Sequence, residues 1–519
     1  MSKPLHIVIA GGGTAGWMAA NLFIKQWGAA QISLVESPDI GIIGVGEGST
    51  PHLRRFFEAI DLTEKEWMPR CNATYKCNIR FIDWSPASGH DHYSHPFFNQ
   101  VDALNQAAFF NNCMSRRLGH SVHTHPDDFF LGTALAQAGK APIAPEHFPF
   151  DMSYGYHFDS HLLGQYLADV AVSRGVVHVS DRIVQVQRND SGDIGALHLE
   201  SGQVISGDLF VDCTGFASLL MQQTLQVPFK SFKENLFNDR AVVMRTPMAG
   251  AVPVETRATA LSAGWCWKIP LTNRFGNGYV YSSDFISEDE AEREFRAHLG
   301  LPDSADNCRH LKMRVGQLEQ HWVHNCLSLG LSQGFIEPLE ATALHLVQVA
   351  IEGFIRRFEQ GQFSAQYRDE FNRSINEHFE RVRDYIVGHY KLNTREDSDY
   401  WRANRNNDKL SDAFLEVIEG WFNYKSITSV LRERRGVSQF DAQSWHCLLA
   451  GYGTFPAVTK GPPPRGDRYR DTNVANVLRG SVLNFPDHLA ALASLTSAES
   501  EGGSTAIPGS KSGFLGSIS

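Results

Sequence analysis

His6-Ile7-Val8-Ile9-Ala10-Gly11-Gly12-Gly13-Thr14-Ala15-Gly16 is the stretch whose reading decides the fold. His6–Ala10 is a short, mostly apolar run of the kind that forms a buried parallel strand. Trp17 to Phe23 reads as a helix. Between them Gly11, Gly13 and Gly16 satisfy G-x-G-x-x-G. The first glycine permits the tight turn, the second lets a pyrophosphate approach the backbone, and the third lets helix and strand pack closely. Thr14 and Ala15 complete the turn, and the helix start offers oriented N–H groups and a partial positive charge to phosphates. A second strand, Gln31 to Val35, ends at Glu36, about 20 residues past Gly16, where a carboxylate meets a ribose hydroxyl. Strand, helix and acid in this order predict an α/β fold with a Rossmann-type dinucleotide-binding domain.

Further along, four glycines between Gly41 and Gly48 make a loop beside the nucleotide strands, so Val45, Gly46 and Glu47 are expected to face the ligand. Asp208 to Phe216 reads as a buried strand stopping at an acid and a glycine, which puts Asp212 and Gly215 at the carboxyl end of the sheet, where ligands sit. Thr74 to Phe81 alternates, with Tyr75, Cys77, Ile79 and Phe81 on one face and Thr74, Lys76, Asn78 and Arg80 on the other. The pattern predicts one half-buried strand with Lys76 on its solvated side. His90, His92 and His95 lie among aromatics in a spacing that fits no zinc pattern, and read as the wall of an aromatic pocket. Trp265 and Trp267 share one face of a strand, an arrangement that usually means core packing. Ile336 to Thr342 reads as the opening of a long helix, with Pro338 in its first turn and an apolar stripe at Leu344, Val347, Ile351, Phe354, Ile355 and Phe358. Glu340 there is either a carboxylate favoured by the helix dipole or part of an anion-binding helix start.

The 519 residues exceed one small core. A net charge of -10 without basic blocks argues against nucleic acid as a partner. Eight cysteines without a C-x-x-C pair suggest reduced thiols and no zinc or other metal site. The first residues lack a signal-peptide pattern, and no apolar run reaches a membrane span, so a cytoplasmic protein is expected. The chain divides into residues 1–390, with a pocket-forming insertion at about 89–150, a mainly helical region at 391–493, and a Ser/Gly-rich tail at 494–519.

These pieces together resemble the flavin-dependent tryptophan halogenases, over nearly the whole length to about Pro456. Trp265-Cys266-Trp267-Lys268-Ile269-Pro270 matches the family's W-x-W-x-I-P, and Gly334 to Thr342 is similar to its G-F-V-E-P-L-E-S-T. Asp208 to Gly215, Tyr156 to Leu162 and Tyr400 to Asn404 also match. The resemblance implies that Lys76 and Glu340 are the catalytic pair. Reduced FAD from a separate NAD(P)H-dependent flavin reductase, O2 and a halide (chloride or bromide) would yield hypohalous acid at a flavin hydroperoxide. The acid would then travel to Lys76 and halogenate an aromatic ring beside Glu340. It further implies halide binding by the backbone of Thr342 and Ala343, with alanine at 343 where the family usually has glycine. Flavin contacts are implied at Ile183, Leu331, Ala341 and Leu344, and a role for Trp265, Trp267, Ile269 and Pro270 in keeping substrate from the flavin.

His95, Phe97, Trp445 and His446 fall on substrate positions by the same resemblance. Tryptophan-specific members precede that segment with a glutamate for the substrate ammonium, a Phe-Trp pair and an asparagine. Here Arg435, Gln439-Phe440 and Ser444 stand at those places, and the segment between Trp421 and Trp445 is shorter. A more open site is therefore expected, one that takes free indole or a related small aromatic, in a protein for which a homodimer is an allowed assembly. Two alternatives remain at this point: a flavin monooxygenase that hydroxylates an aromatic, and a flavoprotein that only binds FAD for redox sensing or electron relay.

Overall fold

In the computed structural model, the described residues are 4–39, 41, 44, 46–302, 308–433, 440–457 and 466–496. His6–Ala10 pairs in parallel with Gln31–Glu36 on one side and Leu209–Asp212 on the other. The sheet they centre runs Trp322–Val323, Cys326–Ser328, Leu209–Asp212, His6–Ala10, Gln31–Glu36, Val177–Ser180. Its carboxyl ends converge on the glycine turn, the crevice where such sheets take ligands. The helix Thr14–Gln26 starts directly after that turn, and Ala343–Gln360 packs against it.

A second, seven-stranded sheet carries Gly264–Pro270 between Arg274–Tyr281 and Glu255–Leu261, and continues through Asn78–Ile82 to His92–Pro96. A third sheet has Gly155–Phe158 at its centre, flanked by Glu47–Gly48 and Thr74–Lys76. The alternating stretch at 74–81 is thus two strands in two sheets rather than one. The chain crosses over at Cys77, whose N–H donates to the Val254 carbonyl and whose carbonyl accepts from the Phe97 N–H. The expected solvated face is also absent, because protein covers both sides: Thr74, Lys76 and Asn78 are each 0 % exposed. Period-two alternation reports which side chains share a face, not whether that face is wet.

The long helix begins later than expected, at Ala343. Glu337 to Ala341 forms a tight turn, closed by Leu339 N–H to the Glu337 carbonyl and Ala341 N–H to the Pro338 carbonyl. Ala341 has φ +56°, a left-handed conformation that disfavours helix continuation and costs an alanine about 1–2 kcal/mol. Pro338 therefore sits in the turn and not in the helix. The apolar stripe is as read: Leu344, Val347, Ile351, Phe354 and Phe358 are buried, and Ile355 is half-buried. The helical region follows in Arg368–Lys391, Asp399–Asn406, Asp412–Phe422, Ile427–Glu433 and Ala442–Gly451. One continuous apolar cluster has members from Ile7 to Ala491. Among the described residues no helix is long and apolar enough to cross a membrane. Of the tail at 494–519, residues from 497 onward lie outside the described set.

Two buried histidines, His345 and His378, and the half-buried His52 meet where the helix His52–Ala59 packs on the two long helices. His345 and His378 approach at 3.3 Å between their Nε2 atoms, and the His52 and His345 rings are 4.0 Å apart. Burial, reinforced by neighbouring positive charge, pushes His52 and His378 down to about 4, and His345 well below its usual value. An unfolded histidine titrates near 6.5, so the unfolded chain binds more protons between about 6.5 and 4. Stability is held above that window and is lost as pH falls through it. Urea unfolding across pH 7 to 4 is expected to show this fall, and His378→Gln to flatten it. An unchanged slope in the variant would contradict the assignment.

Candidate active site

The glycine turn has the shape that close approach of a nucleotide requires. Gly11 has φ +106°, and a Cβ there would lie 2.2 Å from the Cys213 carbonyl oxygen. One on Gly16 would lie 2.1 Å from the Gly11 carbonyl oxygen. Gly13 has open space where a side chain would be, at the N-cap of Thr14–Gln26. Glu36 lies over Gly12 and pairs with His178 at 2.7 Å. Gly330, with φ +63°, approaches Ala15, which brings the half-buried Leu331 to the same turn. Ile183 packs against the strands Val8–Ala10 and Val35. Asp212 is fully buried and its oxygens accept from Thr214, Ser332 and the backbone of Leu220 and Met221. The carboxylate thus holds the turn around Gly215 in shape. Glu47 is pushed up to about 7 by loss of solvation; Val45 lies outside the described residues. This bare, donor-rich cradle fits a dinucleotide.

Thr342 is the N-cap of Ala343–Gln360, yet its side chain caps nothing and its buried Oγ1 has no partner. The first N–H groups of this helix, from Ala343 and Leu344, have no intrahelical acceptor, a fitting environment for a halide.

Lys76 and Glu340 are buried to 0 % and 3 % exposure. Lys76 Nζ lies 5.4 Å from the centre of the Phe97 ring and has no hydrogen-bond partner in the protein. Burial pulls it down to about 7, against the opposing pull of Glu340. Burial alone would push Glu340 up. His95 beside it, with hydrogen bonds from His389 and His95, outweighs that and holds it at about 2. Glu340 Oε2 is 2.8 Å from His95 Nδ1, and Oε1 is 2.9 Å from His389 Nε2. His95 Nε2 reaches Ser444 Oγ at 3.0 Å, while His389 Nδ1 meets the Tyr93 and Tyr452 hydroxyls at 3.2 and 3.3 Å. A carboxylate thus stands near a buried amine, among the rings of Phe97, His95 and Tyr385.

Of the expected site residues, Lys76, Glu340, His95 and Phe97 are brought together. Trp445 and His446 are not brought to the amine. The Trp445 indole packs edge-on against Tyr385 at 5.0 Å and beside Phe414, and His446 stacks on Phe110 at 3.9 Å. Ser444 and Phe440 are the members of that segment that approach His95, with Phe440 stacked on Tyr385 at 3.8 Å. Arg435 and Gln439 lie outside the described residues. His389 was not legible: a histidine inside a charged 24-residue helix carries no pattern of its own.

The tryptophan pair has its rings 6.0 Å apart. Trp265 Nε1 donates to Glu337 Oε2 at 2.9 Å, an oxygen that also accepts from Asn238 and Tyr390. Glu337 belongs to the same turn as Glu340, so the two sequence motifs are hydrogen-bonded to each other. A Cβ on Gly278 would fall 2.1 Å from the Trp267 ring, so the neighbouring strand needs glycine there. Ile269 and Pro270 are buried at the end of the tryptophan strand.

The chain thus combines a Rossmann-type nucleotide cradle with a buried lysine–glutamate pair, and its W-x-W strand is hydrogen-bonded to the turn that carries the glutamate. Comparison with known proteins gives the class, a flavin-dependent halogenase, an enzyme: the tryptophan halogenase family matches residues 6–462. The chain belongs to this family. It is 40% identical over 450 residues to the tryptophan 6-halogenase SttH of Streptomyces toxytricini, covering 81% of this chain and 84% of that protein. It is 35% identical over 490 residues to the tryptophan 7-halogenase RebH of Lentzea aerocolonigenes, covering 88% and 91%. The crystal structure of SttH superposes with a TM-score of 0.82 at 35% identity over 94% of this chain and 99% of that one. BrvH, a flavin-dependent halogenase from Brevundimonas sp. BAL3, gives 0.81 at 33% over 95% and 99%.

Proposed function

We propose that the protein is a reduced-FAD-dependent halogenase that uses O2 and chloride or bromide to halogenate an electron-rich aromatic such as indole. The observation that carries this reading is the buried Lys76 amine, without a protein hydrogen-bond partner and close to the buried Glu340. FAD, reduced by a separate flavin reductase and bound at Gly11–Gly16, Glu36 and the 330–332 turn, would supply the two electrons that with O2 turn halide into hypohalous acid. Lys76 receives that oxidant by donating a hydrogen bond as ammonium or by binding the halogen as amine. The ring gives up a proton as the carbon–halogen bond forms, and water leaves. Glu340, a weak base at about 2, serves chiefly as a fixed negative charge beside the cationic ring intermediate. Thr342 and Ala343 hold the halide through backbone N–H groups, and Trp265 and Trp267 keep the ring from the flavin.

Indole is favoured over tryptophan by Arg435, which cannot pair with a substrate ammonium, and by Ser444, whose hydroxyl is taken by His95. The test is mass spectrometry of products from indole and tryptophan offered separately, with FAD, a flavin reductase, NADH, O2 and bromide. Halogenated indole in excess of halotryptophan is expected. Efficient halotryptophan would overturn the substrate assignment.

A further inference from the structure

Behind Lys76 lies a hydrogen-bonded chain with only one consistent direction. Thr74 Oγ1 donates to the Pro270 carbonyl at 2.8 Å, and a carbonyl can only accept. The single proton of Thr74 is thereby used, so its 2.9 Å contact to His157 Nδ1 must be donated by the histidine. His157 is fully buried, and desolvation, followed by the charge of Lys76, holds it neutral, well below its usual value. With the proton on Nδ1, Nε2 is an acceptor, and the 3.0 Å contact to Thr256 Oγ1 is a hydrogen bond donated by the threonine. The lone pairs of Thr256 Oγ1 are therefore left facing away from His157. They border Gly48: a Cβ there would lie 3.4 Å from Thr256 Oγ1, 3.2 Å from Lys76 Nζ and 3.7 Å from His157 Cδ2. With no side chain on Gly48, the amine and the hydroxyl both approach the same stretch of backbone, which a Cβ would crowd.

We infer that Thr256 is a positioning residue for Lys76, its oxygen accepting the amine's N–H through one bridging water lodged over Gly48, with His157, Thr74 and the Pro270 carbonyl fixing its direction. A buried amine without a protein partner calls for such a bridge, since an unmade hydrogen bond to a buried donor is strongly unfavourable. The chain also ties the last residue of the W-x-W-x-I-P strand to the halogenating amine. The inference rests on the reading of Lys76 given above.

The charged and titratable groups facing Lys76 are Glu340, from the turn before the long helix, and His157, from the adjacent strand. An accepted hydrogen bond favours the ammonium, so removing the acceptor lowers the lysine midpoint. The measurement is the Nζ chemical shift of 15N-lysine-labelled protein against pH, with Lys76 assigned by its loss in Lys76→Ala. Thr256→Val is expected to lower the midpoint by about one pH unit, Thr256→Ser to restore it, and Gly48→Ala to lower it by displacing the water. Because both act through the same water, the double variant falls no further than the lower single one. The kcat for halogenation drops about tenfold in Thr256→Val and recovers in Thr256→Ser. An unchanged midpoint in both Thr256→Val and Gly48→Ala, or additive shifts in the double variant, would overturn the inference. The titration uses neither flavin nor halide, so its outcome is separable from that of the halogenase assay.

Discussion

Lys76→Met abolishes halogenation and makes the protein harder to unfold. The first effect follows from the proposed role of the amine in holding the oxidant, so a loss of at least about a hundredfold is expected. The second follows from the same burial. The amine is 0 % exposed, has no protein partner, and is pulled down to about 7 from the usual lysine value near 10.4. The unfolded chain therefore binds more protons between those values, and stability rises with pH across that window. Below about 7 the full penalty of burying the charge is felt. Methionine fills similar space without that penalty, and a gain on the order of a few kcal/mol follows, read as a rise of several degrees in the thermal midpoint near pH 7. Flavin binding should persist, since the glycine turn is elsewhere. Undiminished product, or a lowered thermal midpoint, would show that Lys76 is an ordinary core lysine.

Glu340→Gln should lower kcat by about a hundredfold to a thousandfold with little change in KM, the pattern of an interaction realised in the transition state. Glutamine keeps the shape and can still meet His95 and His389, so the fold survives while the fixed negative charge is lost. Because Glu340 is held at about 2 by the two histidines, it stays ionised throughout the range in which the enzyme can be assayed. A change in kcat near neutral pH would then report Lys76 or Glu47, both placed at about 7, and it should persist, at reduced height, in Glu340→Gln. A variant within a few-fold of the parent would remove Glu340 from the chemistry. Steady-state kinetics across pH 5.5 to 9 decides both points.

The nucleotide half of the molecule was legible because its constraints are local. Gly11, Gly13 and Gly16 are fixed by backbone contacts within one turn, and Glu36 by strand length, so a contiguous stretch carries the information. The gathering of Lys76, Glu340, His95 and Phe97 was suggested only by the family motifs. The alternation around Lys76 is real, yet it concealed a change of sheet at Cys77 and gave no sign that Thr74, Lys76 and Asn78 would be buried. The turn at 337–341 was read as helix because Pro338 and the later apolar stripe both fit one. The left-handed Ala341 that breaks it has no signature in an alanine. His389, His157 and Thr256 contribute through long-range hydrogen bonds, and nothing in their immediate neighbours marks them. Trp445 and His446 were placed by the family resemblance, which gives a position on the helix Ala442–Gly451 without fixing which side chain turns toward His95; Ser444 and Phe440 are the ones that do.

The most direct test of the central claim is the mass of the product made from indole by the protein with FAD, a flavin reductase, NADH and O2, in paired reactions with and without bromide. The account predicts a monobrominated product with its isotope doublet, appearing only when bromide is present. A hydroxylated product formed equally in both reactions would contradict it, and would make the protein a monooxygenase built on a halogenase frame.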